Sequence, residues 1–123
     1  MASKVSQLER AFKTAWFSKA ARKAHIADDE LCTAIRQVML GQADDLGGGV
    51  FKKRLGKNLY RSIVIAKGGR YWVYAYLFGK QDRANISDEE LKYFRALADL
   101  YAGKSDVDIA KELQLEELLE ICQ

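Results

Sequence analysis

Three runs of alternating side chains, at about Val50–Leu55, Leu59–Ala66 and Arg70–Phe78, constrain the fold of this 123-residue chain more than any other feature. They are rich in β-branched and aromatic residues and are broken at glycine. Gly68-Gly69, between the last two, is a strong hairpin turn. The spacing predicts an antiparallel meander. Alternation along the first run puts Phe51 and Leu55 on one face and Lys52 and Arg54 on the other, because successive strand side chains point to opposite sides of a sheet. Lys53 then falls on the Phe51 face, so it either reaches the edge along its apolar stem or sits in an irregular stretch. In the third run Tyr71, Val73, Ala75 and Leu77 alternate with Arg70, Trp72, Tyr74 and Tyr76. Both faces are substantially apolar, as expected of a central, well-covered strand.

The strands also carry the charge. Between Val50 and Arg83 stand nine cations, Lys52, Lys53, Arg54, Lys57, Arg61, Lys67, Arg70, Lys80 and Arg83, against one acid, Asp82, whereas the whole chain is only +3. After Arg83 the balance reverses, with ten carboxylates against Lys92, Arg95, Lys104 and Lys111. Such segregation sets up a field on one side of a small domain. A cationic sheet interleaved with aromatics suits a polyanion such as nucleic acid, and a solvated Lys/Arg face is the plainer reading of the same charges.

Around the meander the pattern is helical. Val5, Leu8 and Phe12 have helical spacing while Phe12, Thr14 and Trp16 alternate like a strand, which leaves that stretch open between the two. Phe17 to Ala24 favours helix by composition. Asp28 is expected to cap a second helix to about Leu40, with Leu31, Ile35, Val38 and Met39 as its buried stripe and Gly41 ending it. Asp44 to Gly49 reads as a loop. Ser87-Asp88-Glu89-Glu90 fits a capping box opening a helix to about Tyr101, whose stripe is Leu91, Phe94, Leu97, Ala98 and Tyr101. Ser105 or Asp106 can cap a short helix to about Leu113, and Leu115 to Ile121 is open between helix and edge strand. The expected fold is α+β, with helices packed on a twisted, mainly antiparallel sheet. One domain over 1–123 is expected, ending in an acidic C-terminal extension from about 104 to 123.

Cys32 and Cys122 stand far apart in sequence and lack metal-ligand spacing, so structural thiols in a reducing cytoplasm and no metal or other cofactor are expected. Met1 to Arg10 has no apolar run, and no stretch approaches the roughly 20 apolar residues of a membrane span, so a cytosolic protein is expected. His25 is the only histidine, which excludes a two-histidine ribonuclease mechanism. Phosphate-loop, nucleophile-elbow and zinc-protease motifs are absent.

What remains is lysine, arginine and tyrosine chemistry. Cleaving RNA with its own 2′-hydroxyl needs that hydroxyl deprotonated, the phosphorane's charge stabilised and a proton given to the leaving 5′-oxygen. A lysine crowded by cations has its ammonium form disfavoured and moves toward the range of a base, while arginine stays charged and clamps phosphate. Lys52 or Lys53 beside Arg54 and Arg61 fits these roles. Lys57, Lys67 and Arg70 read as phosphate-positioning contacts. Trp72, Tyr74 and Tyr76 are either base-stacking surfaces or core, and Tyr60 is the better stacking or proton-donating candidate because it lies inside the basic window.

The segments Leu46-Gly47-Gly48-Gly49-Val50-Phe51-Lys52-Lys53-Arg54-Leu55, Tyr60-Arg61-Ser62-Ile63-Val64-Ile65 and Phe78-Gly79-Lys80-Gln81-Asp82-Arg83-Ala84-Asn85-Ile86, in that order of elements, resemble the RelE/ParE superfamily of bacterial toxins, most closely its RelE/HigB-like branch. The resemblance implies a toxin that enters the ribosomal A site, cuts mRNA and so inhibits translation, and is neutralised by a co-expressed antitoxin of helix-turn-helix type. By position it assigns catalysis to Lys52, Arg54 and Arg61 and matches Gly79 to Arg83 to the family's basic stretch after the last central strand, with Arg83 the catalytic stand-in for the arginine replaced by Gln81; RNA binding is expected of Lys80 and Gln81 in that stretch and of Lys53, Lys57 and Tyr60 in the basic window. Gln81 stands where the pattern has an arginine and Ser87 where some members have a tyrosine, so the resemblance leaves the leaving-group acid unassigned. The same fold also hosts DNA gyrase inhibitors of the ParE type, and a non-catalytic RNA-binding module would share the basic face.

Overall fold

The computed structural model describes residues 9–123. The helical spacing of Val5 and Leu8, and the apolar-poor start of the chain, lie outside the described residues. Six strands form one sheet in the order β2-β3-β4-β5-β1-β6, with β1 Arg10–Thr14, β2 Asp44–Gly47, β3 Val50–Leu55, β4 Tyr60–Ile65, β5 Tyr71–Gly79 and β6 Leu118–Ile121. Every neighbouring pair is antiparallel except β1 and β5, which run parallel. Four helices, α1 Ala15–Lys23, α2 Asp28–Met39, α3 Asp88–Ala102 and α4 Asp106–Gln114, complete an α+β fold.

The meander β3-β4-β5 occurs as predicted and β5 is central, but its alternation holds only to Ala75: a register shift against β4 between Ile63 and Val64 puts Tyr76 on the Val73 side and Leu77 on the Tyr74 side. Tyr74 points to one side, where Phe17 stacks on it at 4.8 Å among Leu31, Ile35, Val64 and Trp72 of the layer under α1 and α2. Val73 points to the other side, into Phe12, Ile63, Ile65, Phe94, Ala98 and Ile109 of the layer under α3 and α4. Removing each such large side chain from water contributes about 1.5–3 kcal/mol, which is why a strand apolar on both faces belongs in the middle. The phenol of Tyr74 donates to the Leu31 carbonyl at 2.8 Å, and burial drives its pKa well above the ordinary tyrosine value.

The stretch left open between helix and strand is both. Residues 10–14 form β1 alongside β5, and Thr14 then turns the chain: its hydroxyl accepts from the Phe17 N–H at 3.0 Å and caps α1. Asp28 is the first residue of α2 rather than its cap. The cap position is Ala27, and Asp28, Asp29 and Glu30 instead place negative charge on the helix's positive end. Asp44–Gly47, expected as a loop, is an edge strand paired with β3, and Gly48 and Gly49 make the hairpin with φ of +66° and +83°. Periodicity missed it because only Leu46 of its four residues is apolar. Both later helices open on the expected serines, Ser87 with Glu90 and Ser105 with Asp108 forming reciprocal capping boxes.

The acidic C-terminal segment is built into the sheet. Residues 118–121 form the edge strand β6 against β1, and Glu120 holds Arg10 through two hydrogen bonds of 2.8 and 2.9 Å. The expectation of free thiols is overturned: Cys32 on α2 and Cys122 just past β6 are joined in a disulfide, their Cα atoms 5.4 Å apart. Their separation of 90 positions hid the pairing, since only the return of the chain to the β1 edge brings them together. Closing so long a loop restricts the unfolded chain and stabilises the fold by about 2–4 kcal/mol. Reduction, or Cys32→Ser, is therefore expected to lower the unfolding midpoint measured by circular dichroism, and to do so without further loss when the two are combined.

Candidate nucleic-acid interface

Register builds the site. Across β3, β4 and β5, Arg54 stands opposite Arg61 and Arg61 opposite Phe78, while Lys52 stands opposite Ile63 and Ile63 opposite Tyr76. These two rows lie on the α3 side of the sheet. The helix crosses that face with Phe94 packed 5.9 Å from Tyr76 and Arg95 donating to the carbonyls of Leu46 and Gly47. The end near the β3–β4 turn stays uncovered, leaving Arg54 exposed and Arg61 half-buried.

Arg61 is held from behind. Its Nη1 donates to the carbonyls of Asn58 and Tyr60, each at 3.1 Å, so the guanidinium buttresses a turn in which Gly56, Lys57 and Asn58 all have positive φ. Among the described residues no carboxylate lies within 4.0 Å of Arg54 or Arg61. Cross-strand partners on one face have Cβ atoms about 4.5–5.5 Å apart, and like charges so placed repel. An anion bridging the two arginines removes that cost. Lys52, its side chain 17% exposed, faces Asp44 of β2 at 3.9 Å, a loose contact at the margin of an ion pair.

Arg83 reaches the same face from the loop after β5. Its guanidinium lies 5.6 Å from the Phe78 ring centroid, donates to the Tyr76 hydroxyl at 3.4 Å and to the Asn85 carbonyl at 3.0 Å, and is paired with Glu90. The bonds to Glu90 raise the arginine's pKa and, together with the Ser87 cap, pull that of Glu90 down to about 2. Arg83 is thus neutralised and oriented, unlike Arg54 and Arg61. The Ser87-x-x-Glu90 signal marked Glu90 as a cap, and nothing in the sequence marked it as the partner of Arg83.

The remaining candidates do not join this cluster. Lys53 is on the α2 side, as alternation requires, where its Nζ donates to the Gln42 carbonyl at 2.8 Å. Burial, and secondarily Arg54, lowers its pKa. Tyr60 is on that side too, opposite Leu55 and Gly79. Lys57, Lys80 and Gln81 are exposed at the two turns that meet where the Lys80 N–H donates to the Leu59 carbonyl, and they rim the same end of the sheet. Lys67 and Arg70 are paired with Asp99 and Asp106 at the opposite end. Trp72 and Tyr74 are core, whereas Tyr76 is part of the face. No cluster of metal-ligating side chains occurs among the described residues.

Two outcomes follow from these charges. Glu90 titrates at about 2 in the fold against 4.5 for an ordinary glutamate, so the unfolded chain takes up the proton first. Stability from this group is complete above about pH 4.5 and is lost as pH falls toward 2. Glu90→Gln is expected to flatten that limb of an acid unfolding titration. Arg54→Gln is expected to leave denaturant stability unchanged or raise it by about 0.2–1 kcal/mol by removing the opposed charge, while weakening binding to polyanions.

A family model described as the RelE toxin of the RelE/RelB toxin–antitoxin system matches residues 9–121, from before β1 through β6. A comparison with curated proteins finds no match.

Proposed function

Given that the chain belongs to the RelE toxin family of RelE/RelB toxin–antitoxin systems, we propose that it is a metal-independent, ribosome-dependent mRNA endonuclease that inhibits translation. Family membership gives it a cognate antitoxin as partner, and a helix-turn-helix protein is our reading of that antitoxin. The observation that carries the proposal is the opposed pair Arg54 and Arg61, with Lys52 in the adjoining row, on a face that α3 leaves uncovered.

In the reaction we assign, a 2′-hydroxyl loses its proton, its oxygen attacks the adjacent phosphorus, and the bond from phosphorus to the 5′-oxygen breaks. The products are a 2′,3′-cyclic phosphate and a 5′-hydroxyl. Arg61 and Arg54 hold the non-bridging oxygens and stabilise the charge that builds on them, which is where preorganised cations contribute most. Lys52, beside both arginines, is the candidate base. Lys53 stands on the opposite side of the sheet, so geometry favours Lys52 for that role. Arg83, its charge balanced by Glu90, orients Tyr76 by donating to its hydroxyl. Lys57, Lys80 and Gln81 extend the cationic and polar rim for flanking phosphates, and Tyr60, on the other side of the sheet, lines the adjoining cleft against α1.

Ribosomes place the proposed site of action in the cytoplasm, where a reducing glutathione pool opens disulfides. Activity is expected to survive this, because β6 is separated from β4 by β1 and β5, and the disulfide touches no residue of the cationic face. Among the described residues no helix is long and apolar enough to cross a membrane.

Primer extension on a defined mRNA in a bacterial translation extract, with and without ribosomes, tests the proposal. Cuts are expected only with ribosomes, and Arg61→Ala is expected to reduce them about 10²–10³-fold. Intact mRNA at stoichiometric protein overturns it, and arrest of replication in cells under those conditions would assign the fold to gyrase inhibition instead.

A further inference from the structure

A second feature adjoins the cationic face and has no role in the chemistry just assigned. β1 pairs with β5 only from Tyr71 to Tyr74, after which the chain leaves the sheet as α1. Beyond Tyr74 the side of β5 turned away from β4 has no strand partner, and a cleft of about 540 Å³ opens between it and α1. One wall is α1, with Trp16, Lys19 and Lys23, and the other is the end of β5 with Tyr76 and Arg83. Trp16 is 52% exposed although it is the largest apolar side chain on its helix. It stacks on Tyr76 with ring centroids 5.1 Å apart and planes at 25°, so one indole face is covered and the other is presented to solvent.

Charge singles out the occupant. Helix α1 contains Lys19, Arg22 and Lys23 and no acid. Lys19 and Lys23 are one turn apart, where like charges repel, and neither has a carboxylate within 4.0 Å among the described residues. Asp82 is the one carboxylate in the lining. A half-exposed aromatic plane beside two unpaired lysines matches a nucleotide, with its base against the ring and its phosphate between the ammonium groups. Tyr76 joins this cleft to the Lys52 row, which adjoins that of Arg54 and Arg61, since it stands opposite Ile63, accepts from Arg83, and stacks on Trp16.

We propose that Trp16, Lys19 and Lys23 form a nucleotide-binding shelf that stacks a base of the single-stranded RNA flanking the scissile phosphate. The inference rests on the nuclease reading and extends its substrate path from the sheet onto α1.

Tryptophan fluorescence tests it without cleavage. Of the two tryptophans Trp72 is buried, its Nε1 donating to the Gly69 carbonyl, so Trp16 reports the shelf. Titration with a single-stranded RNA heptamer made non-cleavable by 2′-deoxy substitution is expected to quench Trp16. Trp16→Ala should abolish the quench and weaken binding roughly 5- to 150-fold. Trp16→Phe should recover part of that loss. The Lys19→Ala/Lys23→Ala double variant should reduce the slope of log K against log salt by about 1.4. The remaining Trp72 emission verifies that each variant is folded. Cleavage that disappears in Arg61→Ala but is unchanged in Trp16→Ala, with no quench, overturns the shelf and leaves the nuclease reading standing. A quench that persists when no mRNA is ever cut keeps the shelf as an RNA site and removes the nuclease. Unchanged RNA affinity in Trp16→Ala with lost binding of a co-expressed antitoxin overturns the shelf as an RNA site and makes it a protein interface.

Discussion

Strand β5 and its unequal pairing organise the whole molecule. On one side it is matched to β4 from Tyr60 opposite Gly79 to Ile65 opposite Val73, with a register shift between Ile63 and Val64. On the other side it is matched to β1 only as far as Tyr74. The full pairing sets which face Arg61 occupies and puts Phe78 and Tyr76 beside it. The interrupted pairing leaves room for α1 to cross the end of the sheet and open a cleft at Tyr76. Burial on both faces makes β5 intolerant of a slip, because a shift of one residue would turn Val73 and Tyr74 into each other's layer.

The charge distribution depends on the same frame. The chain's acids are not spread evenly over its cations. Asp106 lies near Arg10 and Arg70, Asp99 pairs with Lys67, and Glu120 with Arg10, all toward the end where β5 begins. Glu90 takes Arg83. Arg54, Lys57, Arg61 and Lys80 at the other end have no ion pair among the described residues. The acidic C-terminal segment thus sharpens the field by cancelling cations where β5 begins and leaving them where the face is open. Surface pairs of this kind contribute little stability individually, about 0–1 kcal/mol, so their larger consequence is where positive potential remains.

Much of this was legible beforehand. Phe51 and Leu55 opposed to Lys52 and Arg54, the Gly68-Gly69 turn, the two serine caps and the central position of β5 all come from period-two alternation and local capping, which depend on neighbours a few residues away. The Lys52, Arg54 and Arg61 cluster was legible for the same reason, since strand parity and one hairpin suffice to align it. The edge strand β2 was not, because a short strand of Asp, Asp, Leu and Gly carries no apolar period. Arg83 was recognisable as a cation near the site, but its neutralisation by Glu90 depends on how α3 docks.

By itself, then, the sequence determined the meander, the face its cations share, the helix starts and the family, because each is written in local periodicity or in a contiguous motif. Only the tertiary structure decided which cations stay unpaired, that Cys32 meets Cys122, that the Lys53 ammonium finds the Gln42 carbonyl, and that Trp16 stacks on Tyr76. Those facts join residues from 11 to 90 positions apart. They exist only once β1 and β6 have returned to the sheet and α3 has crossed it, so no local pattern encodes them.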